Sequence, residues 1–410
     1  MSSTVAANEG LVDPFSKEFF EDPYVQFATA RDLAPVQRHA AGTWMVFRHD
    51  DVLRVLRDRS LSSSEQHALD APRNRAIRAA GGTNDYLLRP SLSKMDAPDH
   101  TPLRSLLARM FTPKAMEGLR DSAVLFINDT LESHGNEDIE LIDTLAYPLP
   151  YRLTCEWLGL PASDDTGAVR RWSFKGLHLL DPFRAPDDYR DYIAASAEFG
   201  GHLREVVEWK RHNLGDDAIS RLIAAGDDGS VVTPDQVAAT VHTLFLAGFH
   251  TTVNQIGLSL LALFRSPAQW DTVIRDESLL GNAVEELLRY DPTAQFMIRA
   301  TPADYPIGDQ VIPAGQHVLA WIGSANRDER RWGPTAGQLD LARHDARHHI
   351  AFGSGIHSCL GMWLARLELE EVLRCLVRRF PRTYLCDEQP KWRSTAFIRG
   401  LESLDLHLAP

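Results

Sequence analysis

Cysteine and positive charge are both scarce in this chain of 410 residues. The 43 lysines and arginines stand against 56 acidic residues, a net charge of -13, which argues against general affinity for nucleic acid or anionic membrane. The four cysteines, Cys155, Cys359, Cys375 and Cys386, are few and irregularly spaced. A disulfide framework is thereby excluded, and no C-x-x-C pair exists. No uninterrupted run reaches the roughly 18 apolar residues of a membrane span, and the start, MSSTVAANEGLVDPF, lacks the basic and apolar regions of a signal peptide. Nor is there an internal repeat, a low-complexity tract or a Gly/Ser linker. These absences predict a cytoplasmic monomer, one large unit or two tightly fused lobes, since 44% hydrophobic composition supports a large core.

Most of the remaining pattern is helical. At TPDQ, Thr233 as N-cap, Pro234 at N1 and Gln236 at N3 form a capping signature. The helix that follows reads through VAATVHTLFLAGFHTTVNQIGLSLLALF to Phe264, where Ser266 and Pro267 stop it. About thirty residues span roughly 45 Å, and apolar residues on nearly every face make it a core helix. Strand-like sequence is short: QVIPAGQHVLAWIG around 310–323, with WMVFRHDDV as a further candidate.

Cys359 lies in FGSGIHSCLG, a loop of three glycines and two serines running into a helical stretch, MWLARLELEEVLRCLVRRF. Cys155, Cys375 and Cys386 read as small buried hydrophobes. The setting of Cys359 differs, because accessible backbone amides and a helix N-terminus stabilise a thiolate. A thiolate can be a nucleophile, a zinc ligand or a haem ligand. His357 could serve as a base, but nothing in the sequence positions it. Zinc could recruit His348, His349 and His357, at a spacing that fits no familiar structural site. The third glycine of a dinucleotide fingerprint would fall at Ser358. Haem fits better, since glycines admit a flat macrocycle and amides tune the sulfur.

FGSGIHSCLG followed by LARLE resembles the cysteine-ligand loop of the cytochrome P450 superfamily. EELLR is similar to its E-x-x-R pair through Glu286 and Arg289, and LDLARHDARHHIAFG supplies Arg343 as third member. LFLAGFHTT resembles the oxygen-binding groove of the central helix, and KMDAPDHTPLRSLLARMFTP the helix crossing the haem edge. IPAGQHVLAWIGSANRDERRW resembles the strand leading into ANRDP, with Glu329 for the proline, and FIRGLESLDLHL the C-terminal substrate loop and strand. These landmarks follow in family order from about residue 90 onward.

The resemblance implies a mainly α fold with small β-sheets, a single domain over residues 1–410 with a β-rich lobe near 35–60 and 300–325, and haem b between the central helix and the Cys359 loop. It implies Cys359 as iron ligand, with His100, Arg104, Ala247, Gly248, Arg299, Phe352, Gly353, His357 and Gly361 around the cofactor. Without it, His100 and Arg104 are a solvated stripe and Glu286 and Arg289 an ordinary surface pair; with it, the former hold haem propionates and the latter, with Arg343, brace the cysteine loop. Leu244, Thr293, Phe296, Met297 and Phe397 are expected to line the substrate pocket, together with segments at 65–90 and 171–183.

The activity implied is mono-oxygenation of a small or medium organic substrate with O2. The chain carries no flavin or ferredoxin module, so NAD(P)H electrons are expected through a separate ferredoxin and ferredoxin reductase. Arg104, Arg109, Lys114, Arg120, Arg347 and Arg366 are candidates for docking an acidic donor. Oxidative coupling and peroxide-driven oxidation are alternatives; a non-catalytic haem carrier is disfavoured by Thr251 beside Gly248, the expected proton-delivery residue. His250 stands where the family has an acid, and reads either as a proton relay or as a packed core histidine. Arg73, Arg75 and Arg78 in PRNRAIR could form a fork for an anionic substrate or simply solvate a loop.

Overall fold

The structure is a computed structural model that describes residues 11–82, 91–160, 166–185, 187–227 and 234–410. Its axis is the helix Pro234–Phe264, about 46 Å long at 1.5 Å per residue. Thr233, the expected cap, lies outside the described residues. Helices Pro148–Leu158, Asp188–Arg211, Ala218–Asp227 and Met362–Arg379 pack around it, which explains apolar residues on all its faces. Its stretch Gln236–Phe264 is long and apolar enough to cross a membrane, although polar residues interrupt its apolar runs, but 78% of its most apolar window is buried inside the protein. A core helix passes the same test. At Gly248 a side chain would sit 3.1 Å from Thr154 Oγ1, so the missing Cβ lets this helix approach Pro148–Leu158 closely.

The β-rich lobe is built on a four-stranded sheet in the order Val36–Arg38, Trp44–Val46, His317–Trp321, Phe296–Ala300. Trp44–Val46 runs parallel to His317–Trp321, and the other pairings are antiparallel. His317–Trp321 is buried at every position, as a central strand covered on both sides must be. One face packs Phe27, Phe47, Phe296, Trp321 and Phe397 into an aromatic cluster. Pro313 and Gly315 turn the chain between Gln310–Ile312 and His317–Trp321. Of a three-stranded sheet joining Asp138–Glu140, Asp405–His407 and Tyr384–Leu385, the sequence reading anticipates only the C-terminal strand; strands this short carry no legible alternation. Cys375 is buried, with its thiol 3.3 Å from Asn128 Oδ1, and Cys155 is half-buried. Cys386 is exposed, which corrects its reading as a core residue.

Candidate active site

The Cys359 loop is folded by its own backbone. Cys359 N–H donates to the Phe352 carbonyl at 2.8 Å and Gly353 N–H to that of Ile350 at 2.8 Å. Gly353 and Gly355 take φ of +68° and +77°, a region that L side chains avoid. At Gly355 a Cβ would also stand 2.9 Å from the Leu56 carbonyl. Gly361 caps the helix Met362–Arg379, and its Cβ position is 4.0 Å from the Cys359 sulfur. Burial pushes the Cys359 thiol up, while the Gly361 backbone N–H, Arg104 and Arg366 favour the thiolate. Protein groups alone leave the proton on; a metal cation is the partner that removes it from a coordinating thiol.

Four cationic or imidazole side chains converge beside this loop. The His100 and His357 rings lie 4.5 Å apart, and the Nε2 atoms of both are buried without a partner. Arg104 donates to the Ser358 carbonyl at 2.6 Å. Burial pushes the Arg104 guanidinium down, with Cys359 opposing. Arg299, 7% exposed, reaches only the neighbouring Ile298 carbonyl, at 2.9 Å, and no carboxylate pairs with it among the described residues. Burial holds it down at about 10, with Asp96 opposing. Burial, then Arg299 and His100, push His357 down to about 3. Asp96 is the nearby acid, but its oxygens accept from Ser62 and Ser63. Buried donors without acceptors are costly, and two carboxylates placed here would answer them. The residues fit a haem: a sulfur for the iron and a donor cluster for its propionates.

On the long helix, Thr243, Ala247 and Thr251 are four apart and share a face. Ala247 is exposed and the two threonines are half-buried, whereas most of the helix is buried. Thr251 Oγ1 donates to the Ala247 carbonyl at 2.9 Å. Gly248, half-buried next to Ala247, is also where the helix packs against Thr154. His250 is fully buried, its ring centroid 4.2 Å from that of Phe174, edge-on, and 4.0 Å from that of Phe249, tilted, with neither ring nitrogen partnered. Burial first, then Arg393, His178 and Arg170, hold it well below the ordinary histidine range. A relay needs a hydrogen-bonded neighbour on each nitrogen, so His250 is a packed neutral imidazole and not the expected relay.

Two buried networks tie down the segments that lead into the loop and the helix that follows it. Glu286 accepts from Arg289 at 2.6 and 2.8 Å and lies 3.2 Å from Arg343 Nε. Arg289 spends its remaining donors on the carbonyls of Asn326, Ala336 and Gln338. Sequence reasoning missed the second network, at the adjacent Glu285. Arg366 clasps Glu285 at 2.6 and 3.0 Å and lies over the Phe352 ring at 4.7 Å. His349 accepts from Ala351 N–H at Nδ1 and therefore donates through Nε2 to Glu285 at 3.0 Å. The run of two glutamates in EELLR was the available signal; a helix cannot aim both at one arginine.

Other expected residues are committed elsewhere. Thr293 donates to the Arg399 carbonyl at 2.9 Å, and Phe296 is sealed against Trp321 and Phe397; both are packing residues, not pocket lining. Leu244 and Phe397 are each 9% exposed and Met297 is half-buried. Arg73 pairs with buried Glu65 at 2.8 Å and Arg78 with Asp70 and the Leu69 carbonyl. Only Arg75 of that trio is exposed, so no arginine fork exists there; residues 83–90 of the same expected pocket segment lie outside the described residues. Arg120 is held by Glu117 and Glu371, and with Arg104 and Arg366 also engaged, it drops out of the docking set. Arg109, Lys114 and Arg347 remain exposed.

Comparison with known proteins points the same way. A family model described as "Cytochrome P450" matches residues 173–399. The chain is 34% identical to cytochrome P450 107B1 of Saccharopolyspora erythraea over 95% of its own length and 96% of that protein. It is also 34% identical to the vitamin D(3) 25-hydroxylase of Pseudonocardia autotrophica, covering 97% and 96%. The crystal structure of Mycobacterium smegmatis CYP164A2 superposes with a TM-score of 0.87 at 31% identity, covering 97% of this chain and 98% of that one. With its single sulfur at a helix mouth and its orphaned donor cluster, the chain belongs to the cytochrome P450 family and is a monooxygenase of that fold.

Proposed function

We propose that this enzyme inserts one oxygen atom from O2 into a small or medium organic substrate, acting as a cytoplasmic single-domain monomer supplied with electrons by a separate ferredoxin and its NAD(P)H-dependent reductase. The observation that carries the reading is Cys359 at the mouth of its helix beside two buried imidazoles without partners and two arginines that reach only backbone carbonyls and Ser358. Cys359 would hold the iron, and His100, Arg104, Arg299 and His357 the propionates. Bound there, haem supplies the activation of dioxygen that no side chain can.

The chain's own residues then have three tasks. The Glu285 and Glu286 networks tie down the segments on either side of the sulfur's loop. The apolar wall of the long helix excludes water from all but the Ala247 face. Thr251 Oγ1, now donating to the Ala247 carbonyl, holds a proton on that face and would turn to donate it. With His250 buried and neutral, protons must reach Thr251 through water on the open side of the helix.

Arg109, Lys114 and Arg347 make no ion pair among the described residues and supply the positive rim for an acidic donor. Reduction by a ferredoxin should slow as salt is raised, because exposed charges are screened beyond about 10 Å at 0.1 M. Charge reversal at Arg109 and Lys114 should slow it further. A rate indifferent to ionic strength and to both reversals would overturn the docking assignment.

A further inference from the structure

Beside the long helix, where Asn254 stands one turn beyond Thr251, lies a cavity of about 190 Å³ whose lining includes Phe174, His178, Arg184, Asn254, Arg393 and Ile398. It exceeds the ~150 Å³ that accommodates a benzene ring inside a protein. Arg393 stands out among its walls. The guanidinium lies over the Phe174 ring at 4.3 Å, and its Nε is buried with no acceptor. Among the described residues it makes no side-chain hydrogen bond and no ion pair.

Of the neighbouring charges, all but Glu402 are spent. Arg184 lies 3.5 Å from Asp181 and contacts His178 Nδ1 at 2.9 Å. Asp181 also accepts from Thr395 Oγ1 and Ala396 N–H. Arg170 is paired with Asp143. Glu402 lines the same cavity from an exposed position, beyond ion-pair reach of Arg393. A half-buried guanidinium whose buried Nε has no acceptor is costly unless something anionic arrives.

We propose that Arg393 anchors a carboxylate carried by the substrate, making this enzyme an oxidase of organic acids that bind with the acid end in this cavity. The inference rests on the monooxygenase reading and names its substrate class. Asn254 donates to the His250 carbonyl at 2.7 Å, which places the cavity within one helical turn of Thr251. Ile398 adjoins Phe397 at the other wall. An acid seated on Arg393 would have to run its tail from this cavity toward the turn that carries Thr251. Arg393 replaces the trio at residues 73, 75 and 78 as the element that selects an anion.

The test titrates the haem-loaded enzyme with decanoate and 4-phenylbutyrate against their methyl esters, read by the Soret shift and by the rise in Tm. The acids should bind at least about tenfold tighter than the esters, the equivalent of one charge-assisted hydrogen bond. Arg393→Gln should abolish that preference, and Arg75→Gln should preserve it. Unliganded Arg393→Gln should melt within about 2 °C of the wild type, having only its contact over the Phe174 ring to lose; Arg393→Met repeats the test if the glutamine variant folds poorly. An acid preference absent with both probes, or surviving loss of the guanidinium, overturns the proposal. Failure of the monooxygenase reading shows separately, as a reduced carbon-monoxide complex without a thiolate-type Soret band.

Discussion

Replacing Glu285 by glutamine removes one negative charge from beneath the cysteine loop while keeping the side chain's shape. Burial alone would raise this carboxyl, but hydrogen bonds from His349 and Arg366 outweigh it and hold it at about 2 rather than the ordinary 4.5. The carboxylate is 14% exposed and Arg366 21%, so solvent screening is modest. At about 1.4 kcal/mol for each tenfold change in proton affinity, the depressed value contributes about 3 kcal/mol of stability at pH 7. A depressed carboxylate stabilises above its unfolded pKa and loses that contribution as pH falls through the folded one. About half should therefore be gone by pH 3. With about 2.1 cal/mol/K of unfolding entropy per residue over 410 residues, the variant should melt about 3 °C lower at neutral pH. Urea titrations followed by far-UV circular dichroism at pH 7 and pH 3 read the difference directly. Equal stability of variant and wild type at pH 7, or a gap of the same size at both pH values, would refute the reasoning.

Glu368 is fully buried and neither carboxylate oxygen has a partner; burial raises it well above the usual range. The folded state keeps a proton that the unfolded chain releases, so stability should fall by up to about 1.4 kcal/mol per pH unit above 4.5 until the raised value is reached. Glu368→Leu should flatten that slope and raise the neutral-pH Tm; a variant that melts lower with the slope intact would show a hidden partner. His250→Phe should leave the ratio of product to consumed NAD(P)H unchanged from pH 6 to 8, because neither nitrogen of the ring is engaged, and a falling ratio with more peroxide would restore the relay. Thr251→Ala, by contrast, should lower that ratio while substrate binding persists.

The site was legible wherever chemistry forces a residue type into a local pattern. The glycines around Cys359 announce left-handed backbone and close approach, and Gly353 and Gly355 adopt it. The long helix announced itself through apolar residues on every face. What the sequence withheld depends on direction in space. Glu285 and Glu286 are neighbours in sequence, yet one faces Arg366 and the other Arg289. Gly248 reads as an opening for a ligand and is also a contact with Thr154. Arg73 looks like a surface charge until Glu65 is brought to it across a turn. Arg393 carries no motif at all, and its importance lies in what fails to surround it.

The central claim is that Cys359 is the axial ligand of a haem. The reduced carbon-monoxide complex of the purified enzyme measures this directly. The wild type should give the thiolate-type Soret band and Cys359→Ala should not, even where haem is retained by His100, Arg104, Arg299 and His357. A thiolate-type band that survives in Cys359→Ala would contradict the account.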